Sequence, residues 1–275
     1  MITRFAPSPT GYLHKGHAYA AWFAHEMAAH DSMRLRIDDL DQMRTKPEFE
    51  RAILRDLEWM GIGWKGAMLR QSTRHSHYRE AIQQIQDRGL LYPCFCTRRM
   101  IKQNATAIQT APHHDLYPPY PGTCRNLDPA RARDLIAAGT PHALRMDSVK
   151  ALAQIGDQFF YELGVGQIKV RLPEGADPIL ARKDIGAAYH LAVVVDDAAQ
   201  EIECITRGVD LLPATHLHRI LQVLLQLSEP VWKHHRLIYG DDGKRLAKRQ
   251  QSASLLELQA RGIRADALMA EFESS

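Results

Sequence analysis

The sequence predicts an α/β domain with a mainly parallel sheet, interrupted by an inserted module. Three observations predict it. Strand-like and helix-like stretches alternate over residues 1–91, a Pro/His/Cys-rich segment breaks that rhythm from Tyr92, and the alternation resumes from residue 183 to the end. The boundaries are therefore set at 1–91, 92–182 and 183–275.

Each element has its own signal. "ITRFA" reads as a short strand, the following Pro/Ser/Gly run as a loop, and "GHAYAAWFAHEMAAH" as a helix with apolar residues at mixed three and four spacing. "MRLRID" reads as a second strand. "PEFERAILRDLEWMGI" carries proline at its start, acidic residues in its first turn and glycine at its end, all helix punctuation. "HYREAIQQIQDRGLLY" is a third helix of the same kind. Further on, "YHLAVVVDD" and "EIECITRG" read as two strands, the first apolar enough for burial on both faces, and a helix follows around "THLHRILQVLLQL".

Composition limits the function classes. A chain of 275 residues, 45% hydrophobic and 24% charged, buries a sizeable core. No apolar stretch approaches the ~18 residues of a membrane span, and "MITRFAPSPTG" lacks the apolar core of a signal peptide. A cytoplasmic monomer with no membrane partner is expected. The net charge of +3 permits a nucleic-acid partner without requiring one, and "WKHHR" and "GKRLAKR" concentrate positive charge near the end. Four cysteines in a chain this long do not make a disulfide scaffold.

Two constellations carry chemistry. In "TGYLHKGHAYA", a strand end, a Gly-containing turn and a helix start converge. In an open α/β sheet that crevice binds ligands, and the N–H groups of a helix N-terminus favour phosphate. His14 and His17, three apart, address one ligand together. The second constellation is Cys94, Cys96 and Cys124. An extended "CFC" points two sulfurs the same way, and three thiolates suit Zn²⁺ in a four-coordinate structural site. General chemistry offers His113 or His114 as the fourth ligand. Cys204 lies apart in an apolar strand and reads as core.

The motifs resemble those of class I glutamyl-tRNA synthetases. "TRFAPSPTGYLHKGHA" is similar to the first strand and H-x-G-H motif of that family, "RLRIDDLDQMR" to its R-I-E-D-x-D segment, "YHLAVVVDD" and "TRGVDLL" to its later active-site segments, and "KRLAKR" to its K-[ML]-S-K-[SR] loop. Five motifs stand in the family's order. The resemblance implies a Rossmann-like nucleotide-binding fold with an inserted zinc-containing module. Only 26 residues follow Arg249, so no C-terminal anticodon-binding domain is expected. The match is therefore to the family's short paralogue, which activates L-glutamate without tRNA and esterifies it to queuosine at the wobble position of tRNA(Asp).

Residue roles follow from the resemblance. His14 and His17 donate to the phosphates of ATP, which binds with Mg²⁺; Gly16 lets the backbone approach the nucleotide, and Lys248 brings a positive charge. Arg245 and Ala247 stand where the family has lysine and serine. Arg4 and Arg207 line the glutamate pocket, Phe5, Ala6, Pro7 and Ser8 form its floor with Arg4, and Tyr189 offers a hydroxyl. Asp38 meets the α-ammonium where the family has glutamate. The family's tyrosine, four residues before the last cysteine, points to Tyr120 as the fourth zinc ligand. Three other classes compete: a small-metabolite nucleotidylyltransferase, a silent tRNA-binding or zinc-dependent interaction module, and a truncated glutamyl-tRNA synthetase charging the tRNA 3′ end.

Overall fold

Strand, turn and helix alternate along the first ninety residues as the sequence predicts. The structure, a computed structural model, describes residues 1–29, 32–97, 99–101, 120–173, 175–183, 186–238 and 253–273. In chain order its elements are β1 (Arg4–Phe5), α1 (Lys15–Glu26), β2 (Arg34–Ile37), α2 (Pro47–Trp59), β3 (Leu69–Arg70), α3 (His75–Asp87), β4 (Leu91–Cys94), α4 (Pro129–Ala137), β5 (Ala143–Met146) and α5 (Ser148–Ile155). There follow β6 (Phe159–Glu162), β7 (Gly166–Lys169), β8 (Ile179–Arg182), β9 (Gly186–Ala187), α6 (Tyr189–Ala199), β10 (Cys204–Gly208), α7 (Leu212–Leu224), β11 (Val231–His235), α8 (Leu255–Ala260) and α9 (Ala265–Glu273).

The central sheet comes in two ladders. β1 pairs in parallel with β2, and β2 with β3; β10 pairs in parallel with β11, and β11 with β6. β7 is an antiparallel edge on β6. The ladders meet where the Ile2 carbonyl accepts from the Cys204 N–H (3.1 Å) and the Arg4 guanidinium donates to the Thr206 carbonyl (2.7 Å). Ile2 faces Cys204 and Arg4 faces Thr206, so β1 and β10 run the same way. The resulting order, β3-β2-β1-β10-β11, changes direction of winding between β1 and β10, the place where open α/β sheets leave a crevice at the carboxyl ends of their strands. β4, β5, β8 and β9 form a separate antiparallel sheet.

Helix punctuation works locally. Pro47 opens α2 with Glu48 and Glu50 in its first turn, where an anion meets the positive end of the helix dipole. The C-terminal helices fold back onto the first: Phe272 of α9 packs against Tyr19 and Trp22 of α1, and the Leu255 N–H donates to the Leu13 carbonyl. Among the described residues no helix is long and apolar enough to cross a membrane.

One expectation is corrected. "YHLAVVVDD" is not a strand; it opens α6, eleven residues long. Leu191, Ala192, Val193, Val194, Asp196 and Asp197 are all buried there. A helix enclosed by protein on most sides is apolar nearly all round, so it mimics a central strand in periodicity. Length separates the two, since eleven residues exceed the usual four to eight of a strand.

Candidate active site

The turn after β1 is built by its own histidines. His14 is the N-cap of α1: its Nδ1 accepts from the Gly16 N–H (3.1 Å), and the Nδ1 of His17 accepts from the His14 N–H (3.2 Å). This is a capping box made of imidazoles. Its consequence is chemical. With both Nδ1 atoms accepting, each neutral ring carries its proton on Nε2 and is a donor there. The rings lie 3.8 Å apart, centroid to centroid. Gly16 serves this arrangement, because a Cβ there would come within 3.0 Å of His14 Cε1 and displace the ring.

A cavity of about 440 Å³ opens beside this turn, at the reversal between β1 and β10. Arg4, Phe5, Ala6, Pro7, Ser8, His14, Gly16, His17, Asp38, Tyr189 and Arg207 all line it, so residues scattered over two hundred positions converge on one space. The Asp38 N–H is held by the Pro7 carbonyl (3.0 Å), tying the end of β2 to the floor. Lys248, with Arg245 and Ala247, lies outside the described residues.

Buried charge organises the wall. Arg36 donates from Nε to Asp38 (2.7 Å) and from its Nη1 to Asp197, which also takes Arg4 Nε (3.0 Å). All four are nearly or fully buried. Burial pushes the Asp38 carboxyl up to about 6, although Arg36 opposes the shift. Burial acts the same way on Asp197, but Arg4 and Arg36 outweigh it and hold that carboxyl below its usual range. A half-tamed carboxylate at Asp38 is suited to a ligand cation, which restores the charge balance that burial upsets. The Oγ1 of Thr206 and the Nε2 of His235 are buried with no hydrogen-bond partner among the described residues.

Sequence reading missed Arg36 and Asp197. Arg36 had a signal: it sits two residues before Asp38 in an extended segment, and residues two apart share a face. Asp197 belongs to the segment misread as a strand.

Cys94, Cys96, Tyr120 and Cys124 come together as a separate buried cluster. The three sulfurs lie within 4.8 Å of one another, with Cys96 and Cys124 3.5 Å apart. Two thiolates about 2.3 Å from one zinc at the tetrahedral angle stand about 3.8 Å apart, so the donor set fits. The Tyr120 hydroxyl lies 3.5 Å from Cys94 and 3.9 Å from Cys96 and accepts from the Cys124 N–H at 2.8 Å. Burial, then the adjoining thiols of Cys124 and Cys94, push the Cys96 thiol up to about 11. Such crowding disfavours three thiolates unless a cation joins them. His113 and His114 lie outside the described residues.

Residues 1–272, which build this crevice, match the family described as tRNA synthetases class I (E and Q), catalytic domain, so the chain is a class I aminoacyl-tRNA synthetase. The glutamyl-Q tRNA(Asp) synthetase of Rhodobacter capsulatus is 47% identical over 95% of this chain and 96% of its own length. The chain belongs to that family, and it is a ligase. It is also 34% identical to the glutamate–tRNA ligase of Aquifex aeolicus over 97% of this chain but only 55% of that one. The crystal structure of a glutamate tRNA ligase from Elizabethkingia meningosepticum in complex with its amino acid superimposes with a TM-score of 0.74 at 28% identity, covering 90% of this chain and 51% of that one.

Proposed function

We propose that the protein activates L-glutamate with ATP, without tRNA, and transfers it to queuosine at the wobble position of tRNA(Asp). The observation that supports this most is that one cavity is lined by two sets of residues, His14 and His17 with their Nε2–H donors, and Arg4, Arg36, Asp38 and Arg207. The two sets match the two reactants.

In the activation step a glutamate carboxylate oxygen attacks the α-phosphorus of ATP in line, the bond to the bridging oxygen breaks, and pyrophosphate leaves with its electron pair. The protein orients the reactants and stabilises charge rather than forming covalent bonds. His14 and His17 donate from Nε2 to phosphate oxygens, and Lys248 adds a cation to the same phosphates, with Mg²⁺ entering on the nucleotide. Arg207 grips the side-chain carboxylate, Arg4 and the Phe5–Ser8 backbone line the floor, Tyr189 offers its hydroxyl, and Asp38 meets the α-ammonium. Cys94, Cys96, Cys124 and Tyr120 would hold Zn²⁺, which when bound crosslinks the module between β4 and α4. The protein acts as a monomer.

The test supplies ATP, labelled glutamate and tRNA(Asp) with or without queuosine. Label that survives removal of the 3′ adenosine and requires queuosine is expected. Label at the 3′ end of tRNA(Glu) overturns the transfer step and restores 3′-end charging.

A further inference from the structure

Behind Arg207 lies a buried array of hydrogen bonds whose proton positions can be deduced. Glu162 is a carboxylate and only accepts, taking the His234 N–H (2.8 Å) and the His234 Nδ1 (2.8 Å). His234 therefore carries its proton on Nδ1, and its Nε2 accepts from Arg207 Nε (3.2 Å). The guanidinium only donates, so the His218 Nδ1, 3.0 Å from its Nη1, is likewise an acceptor. His218 must then hold its proton on Nε2 and pass it as a donor to His190 Nδ1 (3.1 Å). Thr215 closes the set: its Oγ1 accepts from Arg207 Nη2 (2.7 Å) and lies 3.3 Å from His234 Nε2. One arginine and one carboxylate thus dictate the tautomers of three histidines.

The chemistry of these partners is selective. Burial and then Arg207 lower His190 and His234 to about 4 and hold His218 well below its ordinary value, so the rings are neutral at physiological pH. Arg4 and Arg36 are held by a carboxylate, Asp197, which cancels charge as it orients. The Arg207 guanidinium is held as well by two imidazoles and a hydroxyl, which fix its orientation through Nε, Nη1 and Nη2. The Trp232 ring centroid lies 4.9 Å from the guanidinium carbon and adds a cation–π face.

We propose that His218, His234 and Thr215 are positioning residues for substrate selection: acceptors that fix Arg207 in the orientation that receives the side-chain carboxylate. The inference rests on the reading that Arg207 binds glutamate. His190 acts one step further out, by fixing the His218 tautomer. None of these four touches the reacting atoms, so their effect falls on glutamate affinity and leaves the nucleotide side of the cavity unchanged.

The test is glutamate-dependent ATP–pyrophosphate exchange, with KM for glutamate and for ATP measured separately and thermal midpoints recorded for every variant. His218→Leu, which removes the acceptor, is expected to raise the glutamate KM about tenfold or more, the scale of one hydrogen bond to a charged group, with the ATP KM within about twofold. His218→Asn, whose Oδ1 occupies the place of Nδ1, is expected within about threefold of the parent. Thr215→Val is isosteric and is expected to raise the glutamate KM about fivefold, with Thr215→Ser close to the parent. Where His218→Leu does not fold, the Thr215 pair decides. Equal damage from His218→Leu and His218→Asn, a parallel rise in both KM values, or no effect of Thr215→Val overturns the inference. Arg207→Ala separates the two levels: if it leaves the glutamate KM unchanged, the reading of Arg207 fails; if it raises that KM while the His218 and Thr215 variants do not, only the positioning role fails.

Discussion

Glutamate binding is expected to weaken steeply as pH falls through the value set at Asp38. The perturbation is protonation of one buried carboxyl, pushed up to about 6 by burial against the opposing pull of Arg36. Its sign is fixed by charge: only the ionised carboxylate attracts the α-ammonium, so affinity is present above that value and lost below it. With a pKa of about 6, the carboxyl is about nine-tenths ionised at about pH 7 and about one-tenth at about pH 5, so the glutamate KM rises about tenfold over that interval. An ordinary aspartate near 3.9 would change by less than about 10% there. The assay is ATP–pyrophosphate exchange at saturating ATP and Mg²⁺ across this range. Asp38→Asn supplies the control, because it removes the titration at Asp38 while leaving the nucleotide's own protonation untouched. It should show a glutamate KM near the low-pH limit of the parent and a nearly flat profile. A flat parent profile, or a sloping Asp38→Asn profile of the same amplitude, refutes the assignment. Stability moves the opposite way: a carboxyl whose folded-state pKa is raised disfavours the folded state above about 6, and lowering the pH through that value relieves the cost.

Three further outcomes are expected. Gly16→Ala places a Cβ against the His14 ring and should lower the exchange rate about tenfold with little change in thermal midpoint, since the defect is misorientation of a donor rather than loss of packing; an unchanged rate would show that the His14 orientation does not matter. Lys248→Ala should lower exchange by about a hundredfold and Arg249→Ala by no more than about threefold, the difference being one charge on the phosphates. Cys124→Ala should lose bound zinc on elemental analysis and lower the thermal midpoint by several degrees, about what 1–3 kcal/mol produces in a domain of this size; full zinc occupancy in that variant removes Cys124 from the ligand set.

Much of the site was legible because its residues lie in short motifs whose local shape is self-determined. His14, Gly16 and His17 form their capping box within four residues, so the tetrapeptide itself specifies the turn, and the tautomers follow from that turn. Pro47 and the acids behind it mark the start of α2 within four residues. Cys94 and Cys96 bracket one residue at a strand end, and their chemistry alone pointed to a metal. The strand misreading at α6 shows the limit of periodicity. Whether "YHLAVVVDD" is helix or strand depends on what surrounds it, and Asp196 and Asp197 are tolerated in that buried stretch because Arg74, Arg4 and Arg36 come from elsewhere in the chain to meet them.

The amino-acid sequence by itself determined the order of strands and helices in the first half, the imidazole-capped turn and the Cys94–Cys96 pair. Each of these rests on spacings of a few residues, where backbone geometry leaves few choices. Tertiary structure alone decided which neighbours each buried charge meets. Arg4, Arg36 and Arg207 are alike in composition; the packing of α6 brings Asp197 to the first two, while β11 and α7 bring His234, His218 and Thr215 to the third. Electrostatic energy in a buried site depends on the few ångströms around each charge, and those neighbours come from elements up to two hundred residues apart.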